Sequence, residues 1–177
     1  MECCTHASHD YVVDTYDKTK TYMFKYGVSC FTSLIDHGCI KEINNMQTIL
    51  CIGCETGAYE RIICKEMFGV DQPILSDIEP KHDVVEKLSC LEAIDKYPNV
   101  DALMFCFQSF LASGYDVSKF KGKYIIFIGE LHETGHTNPD DLLDSIYECF
   151  NEYISVPLKC CCTYSYCYEQ LCVFKRK

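Results

Sequence analysis

Four short apolar runs, spaced by segments of helical periodicity, constrain this chain more than any other feature. They are Thr48-Ile49-Leu50-Cys51-Ile52, Ile74-Leu75-Ser76, Ala102-Leu103-Met104-Phe105-Cys106-Phe107 and Tyr124-Ile125-Ile126-Phe127-Ile128. Continuous apolar runs of this length mark strands buried on both faces. Between the first two, Ala58, Tyr59, Ile62, Ile63, Met67 and Phe68 form one face of a helix that Gly69 stops. Residues 83–97 read mainly as a helix through Val84, Val85, Leu88, Leu91 and Ile94, with room for a short strand near 85–88. A further helix has Asn138 as its cap and Pro139 in its first position, with Asp140 and Asp141 complementing the dipole. Its buried stripe is Leu142, Leu143, Ile146, Tyr147 and Phe150. An earlier helix follows Ser29 through Phe31, Leu34, Ile35, Cys39 and Ile40. Strand candidates near 158–163 and 171–174 are spaced to pair antiparallel. The alternation predicts an α/β fold: a Rossmann-like, mostly parallel sheet with helices on both faces and an antiparallel C-terminal edge. No repeat or linker interrupts it, so residues 19–177 are expected to form one domain, with 1–18 a polar tail or lid.

Composition removes several classes of protein. Apolar residues make up 48% and charged residues 24% of the 177, close to the globular average, which argues against a disordered chain. No apolar run approaches the roughly 18 residues of a membrane helix. The N-terminus lacks the basic-then-apolar layout of a secretory signal. The balance of 16 basic against 26 acidic residues, −10 in all, disfavours a nucleic-acid partner, whose phosphates call for a basic patch. Fifteen cysteines, an odd number, include several inside apolar runs (Cys51, Cys106, Cys172), where a free thiol packs as a small hydrophobe. A reducing, cytoplasmic compartment is expected.

The informative segment joins the first strand to the first helix: Ile52-Gly53-Cys54-Glu55-Thr56-Gly57-Ala58-Tyr59. Two glycines there allow a tight turn and let the backbone approach a ligand closely. In open α/β sheets, ligands bind beyond the carboxyl ends of the strands. Asp77 ends the next strand, 20 residues after Gly57, where a carboxylate can accept bonds from both hydroxyls of a ribose. Glu55 takes the second glycine position of G-x-G-x-x-G, which disfavours a dinucleotide dehydrogenase, and no Gly-Lys-Ser/Thr follows, which excludes a P-loop.

With Tyr26-Gly27-Val28 ahead of the first helix, this loop, Ser76-Asp77, and Gly129-Glu130 closing the fifth strand, the sequence resembles a divergent class I S-adenosylmethionine-dependent methyltransferase. The resemblance covers residues from about 26 to 150 and the final strand. It implies S-adenosylmethionine as cofactor, with Tyr26, Gly53, Cys54, Glu55, Thr56, Gly57 and Tyr59 around its methionine part and Asp77 on its ribose. Cys106, Phe107 and Gln108 would lie beside the transferring methyl group. The implied reaction is displacement at a sulfonium methyl, which chiefly needs alignment. Gln108 can orient a substrate but cannot serve as a base, and no catalytic residue or methyl acceptor is assigned.

Two other readings are weighed. Cys51, where the family usually has an acid, together with Glu55 and the Phe107-Gln108-Ser109-Phe110 end of strand four, suits a methyltransferase-fold protein that has lost turnover and serves as a binding or structural module. His132-Glu133-Thr134-Gly135-His136 spells H-E-x-x-H, a zinc-hydrolase signature when carried on a helix. A strand-like run precedes it, Gly135 weakens a helix, and a new helix starts at Asn138-Pro139, so this reading ranks third. Cys3, Cys4, His6 and His9 read as part of the tail, and Cys160, Cys161 and Cys162 as packing, because a strand turns neighbouring side chains to opposite faces. No metal site is expected.

Overall fold

The apolar runs do become strands, and their period of two sorts the side chains into two cores. The computed structural model describes residues 43, 46–108, 113–131, 139–157 and 169–177. Strands β1 (Ile49–Ile52), β4 (Ala102–Cys106) and β5 (Tyr124–Glu130) are buried at every residue. Cys51, Met104, Ile126 and Ile128 face one layer with the apolar stripe of helix α1 (Ala58–Phe68). Leu50, Ile52, Leu103, Phe105, Ile125 and Phe127 face the other, with helices α2 (Cys90–Lys96) and α3 (Asp140–Cys149). Phe120 and Phe150 stack in that second layer, 6.3 Å between ring centres.

Seven strands lie in the order β3-β2-β1-β4-β5-β7-β6, where β2 is Ile74–Asp77, β3 Glu86–Lys87, β6 Phe150–Pro157 and β7 Glu169–Arg176. The first five are parallel. β7 runs antiparallel to both β5 and β6, giving the expected antiparallel edge. The chain moves outward from β1 to β2 and β3, then returns to β4 on the other side. The connections therefore diverge between β1 and β4, and this leaves a crevice beyond their carboxyl ends.

Local chemistry explains the boundaries. Gly69, left-handed at φ 69°, ends α1 with its N–H on Lys65 O, as the sequence predicts. Residues 83–97 divide: two residues pair with β2 as β3, and a capping box starts α2, with Glu92 Oε2 accepting from Ser89 N at 2.8 Å. The long helix expected there is thus shortened to its second half. Pro139 stands one position before α3 rather than inside it, and its carbonyl accepts from Leu142 N. The strand expected near 158–163 falls outside the described residues. β6 occupies 150–157, following α3 with no intervening residue, while 158–168 lie outside the described residues. Also outside them are the 31–40 helix, Tyr26, the Cys/His cluster at the start of the chain, Cys160 to Cys162, and His132 to His136.

Candidate functional site

β1 ends in a loop held from three sides. Gly53 N and Cys54 N both donate to Ser76 O, at 2.9 and 3.2 Å, so the loop folds over the end of β2. Gly57 N donates to Cys54 O at 2.7 Å, closing the turn, and Gly57 caps α1 from φ 72°. A Cβ on Gly57 would stand 2.4 Å from Leu75 Cδ1, so this position requires glycine on two counts. Thr56 Oγ1 accepts from Ala58 N at 3.4 Å. Tyr59 is buried beside Ile62 and Ile63 in the core under the loop.

Asp77 and Glu55 take opposite directions. Asp77, 8% exposed, accepts Glu55 N on Oδ2 at 2.8 Å and Glu79 N on Oδ1 at 2.7 Å. A carboxylate offers about four lone-pair directions, so both oxygens keep capacity toward a ligand's hydroxyls. Glu55 adopts φ 49° and turns its carboxylate outward to Lys81 Nζ at 3.0 Å, while its carbonyl accepts Lys81 N at 2.9 Å. The charge at the loop's middle position is therefore balanced outside the loop.

On the other side of the crevice, Phe107 takes φ 51° and donates its N–H to Ile128 O at 2.7 Å. This turns the chain at the end of β4 and sends Gln108 back over β1. Gln108 is buried, and its Nε2 lies 3.0 Å from Ile52 O, 3.2 Å from Gly53 O and 3.3 Å from Cys106 O. Its Oε1 accepts from Tyr115 OH. Tyr115 is anchored in turn by Asp141 Oδ2, which accepts Tyr115 N at 3.2 Å and Gly114 N at 2.6 Å. Burial, then the nearby Cys90 and Asp77, holds the Tyr115 phenol well above its ordinary value, so it stays a donor. A Cβ on Gly53 would stand 2.2 Å from Gln108 Oε1, so Gln108 itself is what approaches that glycine closely. Rather than pointing a free amide at a substrate, Gln108 bridges the ends of β1 and β4.

Beneath the loop lie groups that the apolar pattern does not reveal. Cys51 and Cys64 place their sulfurs 3.8 Å apart, and Cys54 interacts with the same Cys51 thiol. Burial, then the neighbouring thiols, raises Cys51, and burial takes Cys54 to about 11, so both are protonated thiols at neutral pH. Glu60 is buried at 2% exposure in the first turn of α1. Its signal in the sequence is the spacing Glu60, Cys64, Met67, a second buried line beside the Tyr59-Ile62-Ile63 line. No group of three or more His, Cys, Asp or Glu among the described residues is arranged to hold a metal ion.

Of the residues expected from the sequence, Tyr59 packs in the core under the loop and Tyr26 lies outside the described residues. Gly53 to Gly57, Asp77 and Cys106 to Gln108 all converge on the carboxyl ends of β1, β2 and β4. The chain has the fold of the class I methyltransferases. No family model and no curated protein matches the sequence. Among solved structures, magnesium protoporphyrin IX methyltransferase from Synechocystis, with bound S-adenosylhomocysteine, is similar at TM-score 0.50 and 9% identity over 96% of this chain and 99% of that one. TrmK of M. capricolum, also with S-adenosylhomocysteine, gives 0.45 and 15% over 83% of this chain and 67% of that one. The mitomycin 7-O-methyltransferase MmcR gives 0.48 and 11%, over 86% of this chain and 56% of its own. The fold assignment rests on the strand order and on the first of these.

Proposed function

We propose that this chain binds S-adenosylmethionine across the carboxyl ends of β1, β2 and β4 and transfers its methyl group. The observation that carries the reading is Asp77. It is a buried carboxylate at the end of the strand beside the glycine loop, and its two backbone bonds, one on each oxygen, leave lone pairs on both. The outward turn of Glu55 supports the same reading, because it takes a carboxylate away from the place where a ligand's own carboxylate would approach. The cofactor supplies an activated methyl on a sulfonium. Gly53 to Gly57 would wrap its methionine part, Asp77 would take its ribose hydroxyls, and Cys106 to Gln108 would wall the methyl end. Residues 19–177 form one domain in this reading, with 1–18 a tail or lid. The free thiols at Cys51, Cys54, Cys64, Cys90, Cys106, Cys149 and Cys172 support a reducing, cytoplasmic setting.

One observation favours a second reading, a binding module without turnover. Gln108, the polar side chain at the end of β4, spends its amide N–H groups on three carbonyls and turns its oxygen to Tyr115, leaving no N–H to orient an acceptor. The two readings separate by calorimetric titration with S-adenosylmethionine and S-adenosylhomocysteine, followed by methyl-transfer assays on candidate acceptors. Saturable one-to-one binding that Asp77→Asn weakens by about tenfold or more supports the cofactor site, since hydrogen bonds to a charged group are worth about 1.5–3 kcal/mol. Absence of binding to either compound overturns it. Binding without transfer to any acceptor selects the module.

A further inference from the structure

Glu60 is a buried carboxyl group that the site as described does not use. The carboxyl takes its own backbone N–H, one of the orphan donors of the first turn of α1, and Oε2 has no hydrogen-bond partner among the described residues. Ionising a fully desolvated carboxyl is costly, and leaving one of its oxygens unsatisfied is costly even when it is neutral. Its place in the helix aims it at the loop. Glu60 is buried on the same helix as Cys64 and Met67 but sits one turn nearer the loop that precedes α1, within electrostatic reach of Glu55 and Cys54. The groups that act on it are acidic or neutral: Glu55 and Cys54 on the loop and Asp77 at the end of β2. Lys81, the cation bonded to this loop, is committed to Glu55. The underside of the glycine loop therefore repels phosphate and attracts positive charge.

We propose that Glu60 is the anionic receptor for the positively charged part of the ligand, giving up its proton as that charge arrives. The inference rests on the cofactor reading above, whose ligand carries both an ammonium and a sulfonium group. Burial, with Asp77 and Glu55 adding to it, raises the empty-site carboxyl to about 8, so the proton is present at neutral pH and available for release. A cation beside Oε2 removes the reason for that rise, and the proton leaves to solvent. Ligand binding is then tighter as pH increases, approaching about tenfold per pH unit below the empty-site value.

The test is calorimetry of S-adenosylmethionine and S-adenosylhomocysteine between about pH 6 and 7.5, in two buffers of different ionisation enthalpy. Close to one proton released per ligand bound, lost together with the pH slope in Glu60→Gln, is the expected result. Release with both compounds assigns the ammonium, and release with S-adenosylmethionine alone assigns the sulfonium. Binding with no proton release, or with the same slope in Glu60→Gln, overturns the role of Glu60 and leaves the cofactor site standing. Absence of binding at every pH overturns both. Should Glu60→Gln fold poorly, infrared difference spectra of the unaltered protein decide the matter. The protonated-carboxyl stretch must fall on adding ligand, and an unchanged band counts against the proposal.

Discussion

The two ends of β1 are each closed by an aspartate, and they are built differently. At the amino end, Asp101 gathers three bonds on one oxygen: Oδ2 accepts Gln47 N at 2.8 Å, Thr48 N at 2.9 Å and Thr48 Oγ1 at 3.0 Å. At the carboxyl end, Asp77 spreads two bonds over two oxygens. Asp101 ties the start of β4 to the start of β1. Asp77 shapes a loop and keeps lone pairs over. Equal chemistry thus serves cohesion at one end of a strand and recognition at the other, and what separates them is the direction in which the sheet opens.

Removing each aspartate sharpens the contrast. Asp77→Ala is expected to cost about a hundredfold in S-adenosylmethionine affinity, two charged hydrogen bonds' worth, whereas Asp101→Ala leaves the affinity of the folded protein unchanged. Calorimetry on both variants would break the comparison if the two losses were equal. Gly53→Ala follows in size. The added methyl meets Gln108 at φ 71°, so destabilisation of about 1–3 kcal/mol is expected in urea unfolding, partly relieved by adding Gln108→Ala. Asp101→Ala is expected to destabilise by about 1.5–3 kcal/mol. Burial pushes the Asp101 carboxyl up, but its bonds to Gln47 and Thr48 outweigh this and hold it below the ordinary range. Its contribution is therefore complete above the unfolded value of 3.8 and is lost as pH falls through the lower folded value. Acid unfolding of this variant should lack that component. The smallest effect belongs to Lys81→Ala. Its pair with Glu55 is well exposed, so a stability change within about 1 kcal/mol is expected, fading in high salt.

Much of this arrangement was legible in the residues because burial leaves a simple trace. β1, β2, β4, β5 and α1 are apolar at a fixed period, and β1, β2 and α1 stop at Gly53, Asp77 and Gly69, so their limits fall within a residue or two of those expected. β3 is only Glu86 and Lys87, inside the 85–88 stretch where the residues leave strand and helix undecided, and the open edge of β2 decides for the strand. β6 lies at the margin of the sheet, where Asn151, Glu152 and Tyr153 meet solvent, and its polar run masks a strand. Within the site, the loop and Asp77 followed from strand, turn and spacing. The bridging by Gln108 did not. It depends on the positive φ of Phe107, which nothing in Cys106-Phe107-Gln108 specifies locally. Glu60 escaped for a related reason: one acid within a helical stripe reads as solvated until the packing places it inside.

The junction at Cys149 and Phe150 gives the molecule a place without slack. α3 ends and β6 begins on adjacent residues, with Phe150 N donating back to Ile146 O while its side chain packs at 0% exposure. A helix advances by about 100° per residue and a strand alternates by half-turns, so here the two phases are welded together. One residue inserted within α3 would carry Phe150 out of its layer and reverse the faces of the strand behind it. Length variation in chains of this design must therefore collect elsewhere, in connections that touch neither phase.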